Sequence, residues 1–262
     1  MPIGKRPRLD LDADSILKDA RQILAPQIEQ PARRAFLLRT LTLGGVAMLS
    51  GCNLTDNNSV ETALMAISRF NDRAQAWIFD PNAMAPTYPE SMITRPFPFN
   101  AFYGIDEAPN VEEDSYRLEI SGLVADKRSW RLEELRAMAQ TEQITRHICV
   151  EGWSAIGRWG GVRFSDFLQR IGADTTAKFV GFKCADDYYT SIDMPTALHA
   201  QTQLTLSFDG HRLPREYGFP MKLRMPTKLG YKNPKHIQAI FVSNTYPGGY
   251  WEDQGYNWFA GS

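Results

Sequence analysis

The spacing of hydrophobic positions changes character several times along the chain. Val60, Leu64, Ile67, Phe70, Ala74 and Trp77 recur at helical spacing, which predicts an amphipathic helix with this stripe packed on a core. Residues 81–99 carry Pro81, Pro86, Pro89, Pro96 and Pro98, a density that predicts extended loop. Alternation then sets in: "YRLEISGL" (116–123) and "QITRHICV" (143–150) read as strands, as do stretches 178–185, 189–194, 203–210, 221–225 and 237–245. Between them, "SWRLEELRAMA" (129–139) predicts a short helix with Ser129 as N-cap. "FSDFLQRIG" (164–172) predicts a second, ending at Gly172. There is no internal repeat. Many strands with a few short helices in no strict alternation predict an α+β fold, mostly β, built on mixed sheets.

Composition narrows the function classes. The 262 residues are 43% hydrophobic, enough for a sizeable core, and 29 Lys+Arg stand against 30 Asp+Glu. A net charge of -1 argues against a nucleic-acid partner, which calls for a basic excess. No apolar run reaches the ~18 residues a spanning helix needs.

The N-terminal stretch adds an address. Residues 33–52, "RRAFLLRTLTLGGVAMLSGC", place Arg33 and Arg34 before Phe36 and Leu37, then a modest apolar stretch from Leu41 to Leu49. This resembles a bacterial twin-arginine export signal, and its final "LSGC" resembles a lipobox that lipidates Cys52. The segment before the arginines is long, and "SILKDARQIL" (15–24) within it can form a helical turn or two. Either the leader is extended or translation starts downstream. The expected organisation is an export signal over 1–52, a tether and amphipathic helix over 53–94, and a functional domain over 95–262. The expected location is the periplasm, with a lipid anchor at Cys52. Twin-arginine export carries folded proteins, which favours a cofactor inserted in the cytoplasm.

Two cysteines remain, Cys149 and Cys184. In an exported protein they can form a disulfide. Cys149 can instead be a small buried residue. It can be a reactive thiol with His147 on the same face of its strand. It can also be a thiolate that completes the coordination of a metal held by an organic cofactor. A zinc site lacks the CxxC or HxxxH spacing it needs. Downstream, "MKLRMPTKLGYKNPKH" (221–236) gathers Lys222, Arg224, Lys228, Lys232 and Lys235 into one short stretch. Alternation puts Lys222 and Arg224 on one face of a strand and Met221, Leu223 and Met225 on the other. Such a run is either a solvated basic face or a cradle for a phosphate or pyrophosphate.

Together, "FNAFYG" (99–104), "RHICVEGWSAIGRWGGVRFSDFL" (146–168) and "DGHRLPREYGFPMKLRMPTKLGYKNPKHIQAI" (209–240) resemble the sulfite oxidase family of molybdopterin enzymes, over about residues 95–262. The likeness is greatest to its periplasmic methionine-sulfoxide reductase branch. It implies a mostly β domain around one molybdenum bound by a pterin dithiolene, with Cys149 as the metal's protein ligand and the catalytic centre. It also implies cofactor contacts at Asn100, Tyr103, Gly104, Cys184, Tyr217, Lys222, Asn233, Pro234 and Lys235. Gly104 stands where the family carries an acid, Lys222 where it carries arginine, and Tyr217 where asparagine or histidine is common. Cys184 replaces a threonine of the sulfoxide reductase branch. Arg146, Glu151, Trp153, Arg158 and Trp159 are further pocket candidates, while His199 and His211 read as structural. The aromatic tail "NTYPGGYWEDQGYNWFAGS" (244–262) reads as a core lid, with a role at the substrate entrance as the alternative.

The reaction implied is oxygen-atom transfer at sulfur, on a small-molecule or protein-bound substrate. Two alternatives stand beside it: sulfite dehydrogenation, and a non-enzymatic lipoprotein stapled by a Cys149–Cys184 disulfide. The sequence shows no Ig-like dimerisation domain, CxxCH haem motif or dinucleotide fingerprint. The expectation is a monomeric catalytic subunit that exchanges electrons with a separate haem-type partner, membrane-embedded or periplasmic.

Overall fold

A computed structural model of the chain describes residues 67, 70–72, 74, 75 and 77–262. The export-signal residues 1–52, Val60 and Leu64 therefore lie outside the described residues. In chain order the elements are β1 (Glu119–Gly122), α1 (Leu132–Arg136), β2 (Gln140–Ile148), β3 (Ser154–Arg163), α2 (Phe164–Arg170), β4 (Phe179–Cys184), β5 (Tyr189–Asp193), α3 (Met194–Leu198), β6 (Gln203–Phe208), β7 (His211–Arg212), β8 (Lys222–Arg224) and β9 (Ile237–Ser243).

Two sheets form, as the strand-rich pattern predicts. One runs β1-β9-β4-β5, with β1 parallel to β9 and the rest antiparallel. The other runs β2-β3-β6-β7, with β8 also pairing with β6. A buried apolar cluster draws on both: Ile120, Phe182 and Ile240 from the first sheet, Val162, Leu204 and Leu223 from the second, and Phe164 and Phe167 from α2. Fully burying a side chain of this size contributes about 1.5–3 kcal/mol. A smaller cluster of Phe97, Ala155, Trp159 and Leu213 packs with Trp153, Phe208 and Tyr217.

Three features depart from the pattern. The ten-residue β3 is not signalled, because Gly157, Gly160 and Gly161 interrupt the alternation. The structure explains two of these glycines: a Cβ at Gly161 would collide with the Leu204 carbonyl of β6 and one at Gly160 with Ser207, where the pairing shifts register. The first helix starts after Arg131, not at Ser129. Trp130 pairs with Leu118 in an isolated bridge, and Glu134 Oε2 accepts from Arg131 N at 2.9 Å. The third is a correction. The described residues of 67–78 are helical, but Ile67, Phe70 and Trp77 are exposed and do not pack on the core. The contacts come from another face: Asp72 Oδ1 accepts from Phe259 N at 3.1 Å, and Phe79 meets the Phe259 ring edge-on at 5.3 Å.

Candidate cofactor and metal site

Strands β2 and β3 pair from Gln140↔Val162 to Ile148↔Ser154, and Cys149 is the first residue of the turn that joins them. Cys149 N donates to Trp153 O at 2.9 Å, and Gly152 N donates to Cys149 O at 3.1 Å. Gly152 sits at φ +92, a conformation that favours glycine. The thiol is thus held one residue past a long strand, as its position in the sequence suggests. Its Sγ lies 3.6 Å from Glu151 Oε2, which also accepts from Trp153 Nε1 at 2.9 Å. Burial pushes the Cys149 thiol up, and the Glu151 charge adds to this. A bound cation is what would convert it to thiolate.

Both cysteines are free, so the disulfide-stapled alternative does not hold. Cys184 belongs to the apolar core at the end of β4, where burial holds its thiol well above the ordinary range.

Cys149 opens on a cavity of about 180 Å³. Asn100 to Tyr103 form one side. The β4–β5 turn contributes Asp186 and Tyr188, the loop after β8 contributes Gly230, Tyr231 and Asn233 to Lys235, and the tail contributes Trp251 and Tyr256. Six of the ten expected site residues therefore meet here: Asn100, Tyr103, Cys149, Asn233, Pro234 and Lys235. The structure does not bring Gly104, Cys184, Tyr217 or Lys222 to the wall. Gly104 N donates to Glu107 Oε2 at 2.7 Å on an exposed turn. Tyr217 packs with Phe97 and Phe208, and its hydroxyl donates to Phe97 O at 2.7 Å. Several lining side chains are occupied by the protein itself, Tyr103 and Asn233 among them. Tyr103 Oη donates to Asp186 Oδ2 at 2.9 Å, and Asn233 Oδ1 accepts from Met225 N at 2.6 Å.

Behind the wall lies a knot of buried cations. Lys222 and Arg224 of β8 are both buried, although a simple alternation predicts that one face is solvated or ligand-facing. Gly218, at φ +118, lets Lys222 and Lys235 approach; a Cβ there would lie 3.0 Å from the Cβ of each. Burial drives the Lys222 pKa well down, and the charges of Lys235 and Arg224 drive it further. His147 is likewise held neutral by burial, then by Lys222, Arg224 and Lys235. Its Nε2 lies 3.3 Å from Asn100 Nδ2, not beside the Cys149 thiol, which removes the His-activated nucleophile reading. A Cβ at Gly230 would sit 2.7 Å from that same Nε2, so glycine is required where the loop crosses His147.

Among the described residues, neither Lys222 nor Arg224 forms an ion pair. Lys222 Nζ stands 4.8 Å over the Trp159 ring. Arg224 donates to Arg146 O at 2.5 Å, yet its Nε has no partner, nor do His147 Nδ1, His236 Nε2 and Trp159 Nε1. Buried cations and orphaned polar atoms without a counter-charge fit an anionic ligand such as a cofactor phosphate. No group of three or more His, Cys, Asp or Glu able to hold a metal stands among the described residues. A lone thiolate suits a metal whose other ligands come with an organic cofactor. The residues present therefore fit molybdopterin. Arg224, His236 and Gly230 lie inside the quoted basic motif, so its spacing marked the segment without singling them out. Asp186 and Tyr188 carried no such signal. Arg146 faces Tyr88 at 5.2 Å and Arg158 pairs with Glu90, both away from the cavity. His199 is structural, bonded to Ala83 O at 3.1 Å.

A mixed-sheet domain that presents one thiol beside an uncompensated cation cluster is built for an anionic, metal-bearing cofactor. The chain belongs to the sulfite oxidase family of molybdopterin-dependent oxidoreductases: residues 106–251 match the oxidoreductase molybdopterin binding domain. It is 67% identical, over 100% of its length and 99% of the other's, to the Azospira oryzae chain provisionally named protein-methionine-sulfoxide reductase subunit YedZ1. It is 31% identical over 59% of its length to the protein-methionine-sulfoxide reductase catalytic subunit MsrP of Xanthomonas campestris, covering 56% of that protein. The sulfane dehydrogenase SoxCD of Paracoccus pantotrophus shares the fold, with a TM-score of 0.50 at 20% identity over 53% of this chain and 40% of that one. The protein is therefore an oxidoreductase that binds molybdopterin.

Proposed function

We propose that the enzyme reduces sulfoxides, with Cys149 as the protein ligand to molybdenum and the catalytic centre. When bound, the cofactor supplies two-electron redox chemistry for moving an oxygen atom to or from sulfur. The protein's part is to fix the metal through a rigid turn and to select what approaches it. Lys222, Lys235, Arg224, His147 and His236 would hold the cofactor's anionic end. Asn100, Tyr103, Asn233 and Pro234 would shape the cavity, with Cys184 and Tyr217 packed behind it and Gly104 on the turn that follows Tyr103.

The observation that carries the sulfoxide reading over sulfite is the charge of the wall. Among the described residues, its lining includes the Glu151 and Asp186 carboxylates and six aromatic side chains, but no arginine. The lysine in that lining, Lys235, already donates to Asn100 O at 2.6 Å and Glu216 O at 2.8 Å. With a cofactor's anionic end taken up by the buried cations behind it, the carboxylates and rings of this wall would disfavour a second anion such as sulfite and favour a neutral, partly apolar molecule. The relatives named as methionine-sulfoxide reductases support the same substrate class. Dye-coupled assays test it: methionine sulfoxide and dimethyl sulfoxide should be turned over with far higher kcat/KM than sulfite. Sulfite oxidation without sulfoxide reduction would sink the assignment.

The remaining parts rest on the sequence. Export through Arg33 and Arg34, a lipid anchor at Cys52, the three-part organisation, and a separate haem-type electron partner form one scheme. An anchor would raise the local concentration of a membrane partner. Arg33→Lys with Arg34→Lys should leave the precursor in the cytoplasm, and Cys52→Ala should free the protein from membranes. A Cys52→Ala protein still found in the membrane fraction would exclude the lipid anchor.

A further inference from the structure

The cavity's two outer walls come from distant parts of the chain. The loop after β8 presents Tyr231, Asn233, Pro234 and Lys235, and the tail presents Trp251 and Tyr256. The loop's lining skips Lys232, and the tail's skips 252–255. Lys232 and Glu252 turn away from the cavity into the interior, where they form an ion pair with both side chains 1% exposed. Thr190 Oγ1 donates to Glu252 Oε1 at 2.6 Å, and Lys232 Nζ donates to Ser191 O at 2.7 Å. Both walls are thereby fastened to β5. On the cavity side the walls meet again, with the Tyr231 and Tyr256 rings 5.7 Å apart and Tyr231 Oη donating to Asn257 O at 2.5 Å. Among the described residues Glu252 Oε2 has no partner, and the carboxylate's contacts there are with Lys232 and Thr190.

We infer that Lys232 and Glu252 are positioning residues: their buried pair sets the spacing between the cofactor loop and the Trp251–Tyr256 wall, and so decides which sulfoxides bind well. The inference rests on the sulfoxide reading for its substrate and on geometry alone for its mechanics. A large substrate reaches the aromatic wall and a small one does not. Loosening the wall therefore weakens binding of the large substrate without altering the metal's protein ligand.

The test is Glu252→Gln in the holoenzyme. It retains the side chain's shape but leaves Lys232 without its counter-charge. KM for methionine sulfoxide should rise about 5–10-fold, a binding change of the order that lost apolar pocket contacts produce. KM for dimethyl sulfoxide, kcat for both and molybdenum per chain should stay within about 2-fold. By mass spectrometry, amide hydrogen exchange should quicken in both 229–236 and 249–257, and not in β2 or β3. If Glu252→Gln fails to fold, the Lys232→Met/Glu252→Met double variant removes both charges and refills the site. It should fold and still show the methionine sulfoxide shift, because packing replaces the pair without its geometry. A variant that quickens exchange in the tail but leaves 229–236 at the wild-type rate would overturn the coupling. So would an unchanged ratio of the two KM values. A wild-type enzyme that turns over neither sulfoxide would sink the substrate reading, and the exchange result would then decide the positioning role by itself.

Discussion

Two groups of buried cations lie within one short stretch of chain, and they differ in what neutralises them. Lys232 meets Glu252 deep in the interior and is closed off by the protein's own acid. Lys222 and Arg224 are just as deeply buried, yet face each other, Lys235, and orphaned histidine nitrogens. The acids nearest this second group, Asp186 and Glu216, act on Lys235. A buried charge with its own partner is part of the scaffold. One without a partner marks where something from outside completes the structure.

The sharpest way to break this contrast is at the proposed metal ligand. Cys149→Ala should abolish turnover and strip molybdenum from the protein, with the circular dichroism spectrum unchanged; retained activity would remove the site from this cavity. The next test compares the two groups directly. In cofactor-free protein, Lys232→Met should cost about 3–5 kcal/mol in denaturant unfolding, because it strands the Glu252 carboxylate. Lys222→Met in the same protein should be neutral or stabilising, since it removes an unpaired buried charge. In the holoenzyme the second change should instead weaken cofactor retention. Equal losses in the cofactor-free protein would erase the distinction.

A smaller effect follows from pH. Burial lowers Lys235 to about 8 and Lys228 to about 7, against an ordinary 10.5. Between those values the unfolded chain holds more protons than the folded one, so stability rises with pH. The Cys149 and Cys184 thiols, raised from 9.0, hold protons in the folded chain above that point and offset the gain, so the rise is clearest over about pH 7–9. Cofactor-free protein should therefore melt higher at pH 9 than at pH 7. An anion beside Lys235 restores its proton, so the holoenzyme should show a shallower slope. The smallest expected change is Cys184→Ala, at about 1 kcal/mol for one lost buried sulfur, with molybdenum content unaltered. Loss of the metal there would move Cys184 from the core into the site.

The sequence carried the site further than it carried the fold's details. Cys149 stood out because a strand pattern ended on it, and the basic run because five cations share one short segment. What could not be read was which cations are buried: alternation assigns Lys222 a face, but burial of both faces of β8 follows from pairing with β6 and from the loop that folds over it. Strand β3 was hidden by glycines whose purpose, close approach to β6, exists only in three dimensions. The stripe of Ile67, Phe70 and Trp77 had the right period and the wrong destination. Periodicity identifies a helix's apolar face, whereas Asp72 and Phe79 are what attach it.

The parallel pairing of β1 with β9, in which Glu119 stands beside Ala239, bears on timing. This contact spans most of the domain, so the loop entropy of bringing its ends together is met late in folding. The tail wall, Trp251 and Tyr256, follows β9 in the chain. During synthesis the cavity therefore lacks its tail wall until the residues beyond β9 have been made, while Cys149 and its hairpin can form much earlier. Cofactor loading then follows the making of β9 and the tail wall, and a nascent chain halted before Ile237 should expose the Cys149 hairpin while binding no pterin in a pull-down.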